Sequence, residues 1–170
     1  IEILSLYKIN TFHWHLTENQ AWRLESKIYP QLTSPENMTR YPGCCYTQEQ
    51  VREFLDFCRK HHILVIPEID MPGHSESFTR TFGCDMQSPK GKGILKELLA
   101  EACDLFAEEP YFHIGTDEVH FTDPDFVPEI VALVRSYGKK AISWCPGFDY
   151  ALGEIDNCLL WSYMVKAKPG

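Results

Sequence analysis

Helical and strand-like patterns alternate along this chain from end to end. That alternation limits it to folds made of repeated βα units, with helices covering a largely parallel sheet. The clearest unit lies near the middle. Thr47 and Gln50 form a capping-box pair, and the helix they open sets Val51, Phe54, Leu55 and Cys58 at i, i+3, i+4 and i+7, a single apolar stripe. Residues Ile63 to Ile69 follow as a continuous apolar strand, the pattern of a strand buried on both faces. Around this unit, Ile1 to Tyr7 reads as the last turns of a helix and Lys8 to Leu16 as a strand. Downstream, Leu95, Leu98, Leu99, Ala102, Leu105 and Phe106 mark a helix, and Tyr111 to Ile114 the strand after it. Ile130, Leu133, Val134 and Tyr137 mark a third helix, which stops at Gly138, a natural left-handed cap. Ala141 to Trp144 and Leu159 to Trp161 complete the set of strands.

Composition narrows the partners. With 170 residues, 44% hydrophobic and 24% charged, the chain has the make-up of a soluble globular domain. A net charge of −8 argues against nucleic acid or an anionic membrane as main partner. No apolar run approaches the roughly 20 residues of a membrane span. Cys44, Cys45, Cys58, Cys84, Cys103, Cys145 and Cys158 show no C-x-x-C spacing, and are expected to be buried thiols rather than a disulfide framework. The chain opens in mid-pattern at Ile1, so a leader would lie upstream of it.

The polar residues are placed where the strands end. His13 and His15 flank Trp14 late in the first strand. Glu68 and Asp70 end the second, followed by Pro72, Gly73 and His74. His113, Asp117 and Glu118 follow the third, Trp144 closes the fourth and Trp161 the fifth. Carboxylates, imidazoles and indoles at successive strand C-termini converge on one mouth, where both barrels and open α/β sheets hold their active sites. Taken singly, each residue has a plainer explanation: Asp70 as a turn cap, His13 and His15 as core histidines, Trp144 and Trp161 as core aromatics. Five strands are too few for a closed eight-stranded barrel of around 250 residues. An open doubly wound sheet and a barrel lacking its ends both fit.

Three motifs carry a resemblance. Residues 8–23 (KINTFHWHLTENQAWR), 66–74 (IPEIDMPGH) and 113–119 (HIGTDEV) resemble, in order and spacing, the family-20 glycoside hydrolases, the β-N-acetylhexosaminidases. The resemblance implies a (β/α)₈ TIM barrel of which about strands two to six lie in this chain. Residues 1–170 would then be part of a single catalytic domain truncated at both ends. It implies an exo-acting enzyme that releases terminal β-linked N-acetylglucosamine or N-acetylgalactosamine from oligosaccharides or glycoconjugates, without cofactor or metal. The parent would work in a secreted, periplasmic or lysosomal-type compartment. Asp117 and Glu118 map onto the family's catalytic pair, and His74 onto a position behind the acid. Trp144 and Trp161 would line the sugar pocket, and Asp70, His15, Glu18, Asn19 and His113 would surround it. The family's sugar-binding Arg would precede Ile1, and its later Tyr, Asp and Trp would follow Gly170. Two positions depart from the pattern: Thr116 stands where the family usually has a second Gly, and Glu18-Asn19 where it often has Asp-Asp.

The chemistry suits adjacent acids. Retaining glycosidases place two carboxyls about 5–5.5 Å apart and inverting ones wider, across the scissile bond, an arrangement that sequence neighbours serve poorly. If instead the substrate's own 2-acetamido oxygen attacks C1, an oxazolinium intermediate forms. Asp117 then orients the acetamide while Glu118 protonates the leaving oxygen and later deprotonates water. Burial and the neighbouring charge of Asp117 are expected to hold the Glu118 proton. Two alternatives stay open. His13 and His15, with His74, His113 and Asp117, could chelate zinc in an amidohydrolase-type barrel. A sugar-binding relative without turnover would also fit the Asn19 and Thr116 departures.

Overall fold

The structure, a computed structural model, describes residues 1–151 and 153–162. Its elements in chain order are α1 (Glu2–Leu6), β1 (Thr11–His15), β2 (Thr17–Glu18), β3 (Ala21–Trp22), α2 (Gln48–Lys60), β4 (Leu64–Glu68) and α3 (Glu76–Phe82). They continue with α4 (Pro89–Leu105), β5 (Tyr111–His113), α5 (Phe126–Ser136), β6 (Lys140–Cys145) and β7 (Asn157–Leu160). The main sheet runs β1-β4-β5-β6-β7, with every pairing parallel. Its strand order follows the chain without reversal. A doubly wound sheet reverses at a switch point, so this sheet is the arc of a barrel wall.

The pleat sorts the side chains. Trp14 lies against Phe54 of α2, with ring centroids 4.6 Å apart, and joins Val65, Phe112 and Ala141 in the core beneath the helices. His13 and His15, one residue to either side, project from the opposite face of the sheet. The register sets His15 opposite Glu68 and Glu68 opposite His113, one row across three strands. Polar groups therefore line the face that a closed barrel would enclose, while the helices cover the other.

Each helix forms for visible reasons. Thr47 Oγ1 accepts the Gln50 N–H at 3.1 Å while Gln50 Oε1 accepts the Thr47 N–H at 2.9 Å, so the capping box of α2 is complete. Its stripe then buries Val51, Leu55 and Cys58. Ser88 caps α4 by accepting the Gly91 N–H at 3.0 Å. Leu95, Leu98, Leu99, Ala102, Cys103 and Leu105 of that helix are buried. After α5, Gly138 takes φ of 75°, in the left-handed region.

Several expectations need correction. The strands are shorter than the apolar runs: Lys8 and Ile9 precede β1, and Trp161 follows β7. The β2–β3 hairpin and α3 were not foreseen. Of the seven cysteines only Cys58 and Cys103 are buried, while Cys44 and Cys158 are exposed. Those two sit in a loop and on an edge strand, where no apolar layer covers them.

Candidate active site

The ends of β4 and β5 are locked together by hydrogen bonds. Met71 N donates to Ile114 O at 3.2 Å, and Thr116 N donates to Asp70 Oδ1 at 3.3 Å. Gly115 stands where a β-carbon would come within 1.8 Å of Asp70 Oδ1, and it adopts φ of +70°. Only glycine satisfies both conditions. Gly73 is a second close approach, since a β-carbon there would lie 2.8 Å from Asp117 O. The backbone thus packs Asp70, His74, Asp117 and Glu118 into one corner. His15, Glu18, Asp70, His74, Asp117, Glu118, Trp144 and Trp161 together line a cavity of about 300 Å³.

Within this cavity, His74 sits between acids. Its Nδ1 lies 2.9 Å from Glu18 Oε1 and its Nε2 3.3 Å from Glu118 Oε2, with Asp117 Oδ2 at 3.9 Å. Burial works against a charged His74, but the hydrogen bond with Glu18 and the charges of Asp70 and Asp117 prevail and raise its pKa above the usual histidine value. Asp117 is largely enclosed, and its Oδ1 is buried with no hydrogen-bond partner among the described residues. Glu118 differs. Its side chain is 58% exposed, so the burial expected to hold its proton is not provided by the described residues. Asp70 is almost fully buried; desolvation and the nearby negative charges of Asp117 and Glu68 push its carboxyl up to about 8.

Two expected site residues lie off the cavity. Asn19 Oδ1 accepts the Glu76 N–H at 3.2 Å, and its carbonyl accepts from Arg80 Nη2 at 2.6 Å, so Asn19 docks α3. The carboxylate behind His74 is Glu18 alone. His113 is fully buried beneath the cavity, its Nδ1 accepting the Gly115 N–H at 3.1 Å. Thr116 is buried with φ of 83°, a conformation uncommon for a β-branched residue.

Sequence reasoning gave no role to Glu68, which the structure makes central. Glu68 is fully buried and meets His13 Nε2 at 2.7 Å, His15 Nδ1 at 3.2 Å, His113 Nδ1 at 3.4 Å and Trp144 Nε1 at 2.9 Å. Burial alone would raise its pKa. The contacts from His113, His13 and His15 outweigh that and hold the carboxyl well below the usual range. The signal was available, as a lone acid inside an apolar strand.

Three groups bring donor atoms within 4.8 Å of one another: His13-Glu68-His113, His15-Glu68-Asp70 and Asp70-His74-Asp117. In the first, His13 and Glu68 touch at 2.7 Å. Two ligands of one zinc at about 2.0–2.2 Å stand roughly 3.3 Å apart in a tetrahedron, so this pair has the spacing of a proton-sharing contact. The His113 Nδ1 lone pair is taken by Gly115. His74 Nδ1 is tied to Glu18. The five residues of the zinc set that the sequence allowed therefore fall into three different groups rather than one among the described residues.

Comparison with known proteins agrees with this arrangement. The model of the glycosyl hydrolase family 20 catalytic domain matches residues 1–84. A β-hexosaminidase of Porphyromonas gingivalis is 31% identical over 95% of this chain, and one of Vibrio furnissii 34% identical over 81%. The chain spans only 27% and 28% of the length of these two relatives. Among solved structures, the β-N-acetylhexosaminidase of Bacteroides fragilis superposes with a TM-score of 0.80 at 29% identity, covering 94% of this chain and 39% of that one. The family 20 exo-β-N-acetylglucosaminidase of Vibrio harveyi, solved with N-acetylglucosamine, gives a TM-score of 0.71 at 27% identity, over 84% of this chain and 31% of that one. A sequential parallel arc, acids gathered at its strand ends and β-hexosaminidase relatives matched over most of the chain lead to one assignment: this chain belongs to glycosyl hydrolase family 20.

Proposed function

We propose that this chain is part of a single catalytic (β/α)₈ domain that removes terminal β-linked N-acetylhexosamines from oligosaccharides or glycoconjugates, with retention and with the substrate's own acetamide as nucleophile. One observation carries the mechanism: Asp117 holds a buried acceptor oxygen without a partner among the described residues, directly beside the exposed Glu118. A buried carboxylate oxygen left unpaired is costly. An acetamide N–H delivered by the substrate would satisfy it, and the negative charge would stabilise the positive charge that grows on that nitrogen as its carbonyl oxygen attacks C1. Glu118 faces the opening, where a leaving oxygen arrives and water later enters. It gives its proton to the first and takes one from the second. His74 Nε2 within 3.3 Å, backed by Glu18, is placed to adjust the charge on Glu118 as that proton moves. Trp144 and Trp161 offer apolar faces to the sugar ring.

The test uses the full-length protein with chromogenic N-acetylglucosaminides and N-acetylgalactosaminides. Thiazoline mimics of the oxazolinium species should inhibit strongly, because they resemble the state that the site favours most. Asp117→Asn should cost about 3 kcal/mol in transition-state stabilisation, the scale of a lost oxyanion-type contact. Glu118→Gln should slow poor leaving groups by orders of magnitude and activated nitrophenyl groups far less. Indifference to thiazolines, or a covalent sugar adduct on Asp117, would overturn the mechanism.

A further inference from the structure

Beneath the cavity lies a polar row that the proposed chemistry does not use. The Glu68 carboxylate at the end of β4 is fully buried, yet it reaches side chains from three other strands of the sheet. Oε2 meets His13 and His15 of β1, and Oε1 meets His113 of β5 and the indole N–H of Trp144 on β6. The contact with Trp144, 2.9 Å long, passes across β5. It is also the only one of the four that ends on a side chain lining the cavity with Trp161, Asp117 and Glu118 as well as touching Glu68 from a strand two positions away.

Trp144 needs such a restraint. Its backbone is pinned where Trp144 N donates to Gly115 O at 2.8 Å, but that bond does not fix the rotation of the ring. The rings of His113 and His13 pack beside the indole at centroid distances of 4.7 and 5.2 Å, tilted by 58° and 36°. Neither of these ring contacts engages the indole N–H, the polar handle by which the rotation of the ring can be fixed. The hydrogen bond to Glu68 does engage it, and a buried bond to an ionised acceptor is among the stronger ones. The imidazoles of His13 and His15, at 2.7 and 3.2 Å from the other carboxylate oxygen, favour the ionised form of Glu68.

We propose that Glu68 is a positioning residue for sugar binding: it holds the Trp144 indole by its N–H, so that the ring presents a fixed wall to the N-acetylhexosamine. This rests on the hexosaminidase reading, but it assigns Glu68 no contact with substrate and no proton transfer. A carboxamide at position 68 weakens the acceptor and brings N–H groups toward three imidazoles and an indole, so the wall loosens while Glu118, His74 and Glu18 keep their mutual contacts.

The experiment is a double-mutant cycle in the full-length protein with Glu68→Gln, Trp144→Phe and the pair, read as the Ki of an N-acetylglucosamine thiazoline together with KM, kcat and the pH profile. Each single variant should weaken thiazoline binding about tenfold or more, the scale of one hydrogen bond to a charged group. The limbs of the pH profile should stay in place, and the pair should bind no worse than the weaker single variant. Multiplying losses would show that Glu68 and Trp144 act separately and would overturn the proposal, as would an unchanged Ki in either single variant. Should Glu68→Gln fail to fold, benzothienylalanine at position 144 keeps the ring shape and removes only the N–H; an unchanged Ki there is equally fatal. A wild-type protein without turnover would defeat the hexosaminidase reading instead. The same cycle would then be read by calorimetry with N-acetylglucosamine, additivity again being the overturning result.

Discussion

Asp70 is the site carboxyl whose ionisation burial opposes most strongly. Its folded-state pKa, pushed up to about 8 by burial and by Asp117 and Glu68, lies above the roughly 3.9 of an unfolded aspartate. Between those values the folded chain holds a proton that the unfolded chain has lost, so this group's contribution to stability falls as pH rises from about 4 to about 8. Asp70→Asn removes the titration and keeps an oxygen for the Thr116 N–H. The stability of the variant relative to wild type should therefore improve from pH 5 to pH 8 by at least about 1 kcal/mol, measured by urea unfolding at both. An equal difference at the two pH values would mean that Asp70 does not carry this proton. Little of this was legible in the sequence. The motif around residues 66–74 marked Asp70 as belonging to the mouth, but the close approach of Gly115 to its carboxylate exists only once β4 and β5 pair. Asn19 shows the converse: next to Glu18 in sequence, it begins the two-residue turn between β2 and β3, where strand alternation ends, and docks α3 instead of facing the cavity.

At the scale of elements, the helices and main strands were readable because each carries a full period of apolar residues. The β2–β3 hairpin was not, since two-residue strands cannot show alternation. The seven-residue α3 was hidden too: it buries only Ser77 and Phe78 and is held by the backbone carbonyls that Arg80 grips. Those short pieces nonetheless bring Glu18 to His74. The tightest element junction is the Gly115 turn after β5, where a methyl group would strike the Asp70 carboxylate and its Cα. Gly115→Ala should cost at least about 2 kcal/mol, from the left-handed backbone and the clash together. It should also remove turnover, because relief requires β5 to move away from β4 and take Asp117 and Glu118 with it. The midpoint of denaturant unfolding and kcat/KM check both parts. A stable, active Gly115→Ala protein would show that the turn is looser than its geometry implies.

Across the described residues, exposed apolar side chains stand at both margins of the sheet, besides others scattered over loops and helices. At the β1 margin, α1 shows Ile3, Leu6 and Tyr7 at 69%, 82% and 79% exposure; at the β7 margin, Leu160 and Trp161 are 51% and 46% exposed. In the sheet of described residues, β1 pairs only with β4 and β7 only with β6, so each has a free line of backbone donors and acceptors. Unpaired strand edges flanked by apolar side chains invite pairing with another chain. The same geometry leaves the cavity at the strand ends open, since Glu118 and Trp161 are both about half exposed. If the chain is an arc of one catalytic barrel, further strands would cover both margins and close the mouth. The 170-residue polypeptide expressed by itself should then self-associate and show little or no hydrolysis of N-acetylhexosaminides, whereas the full-length protein should be soluble and active. Size-exclusion chromatography with light scattering and a chromogenic assay would read the two properties separately. A monomeric and fully active 170-residue protein would mean that these edges are natural boundaries and that the acids, histidines and indoles described above suffice for turnover, which would defeat the barrel-arc reading of the domain.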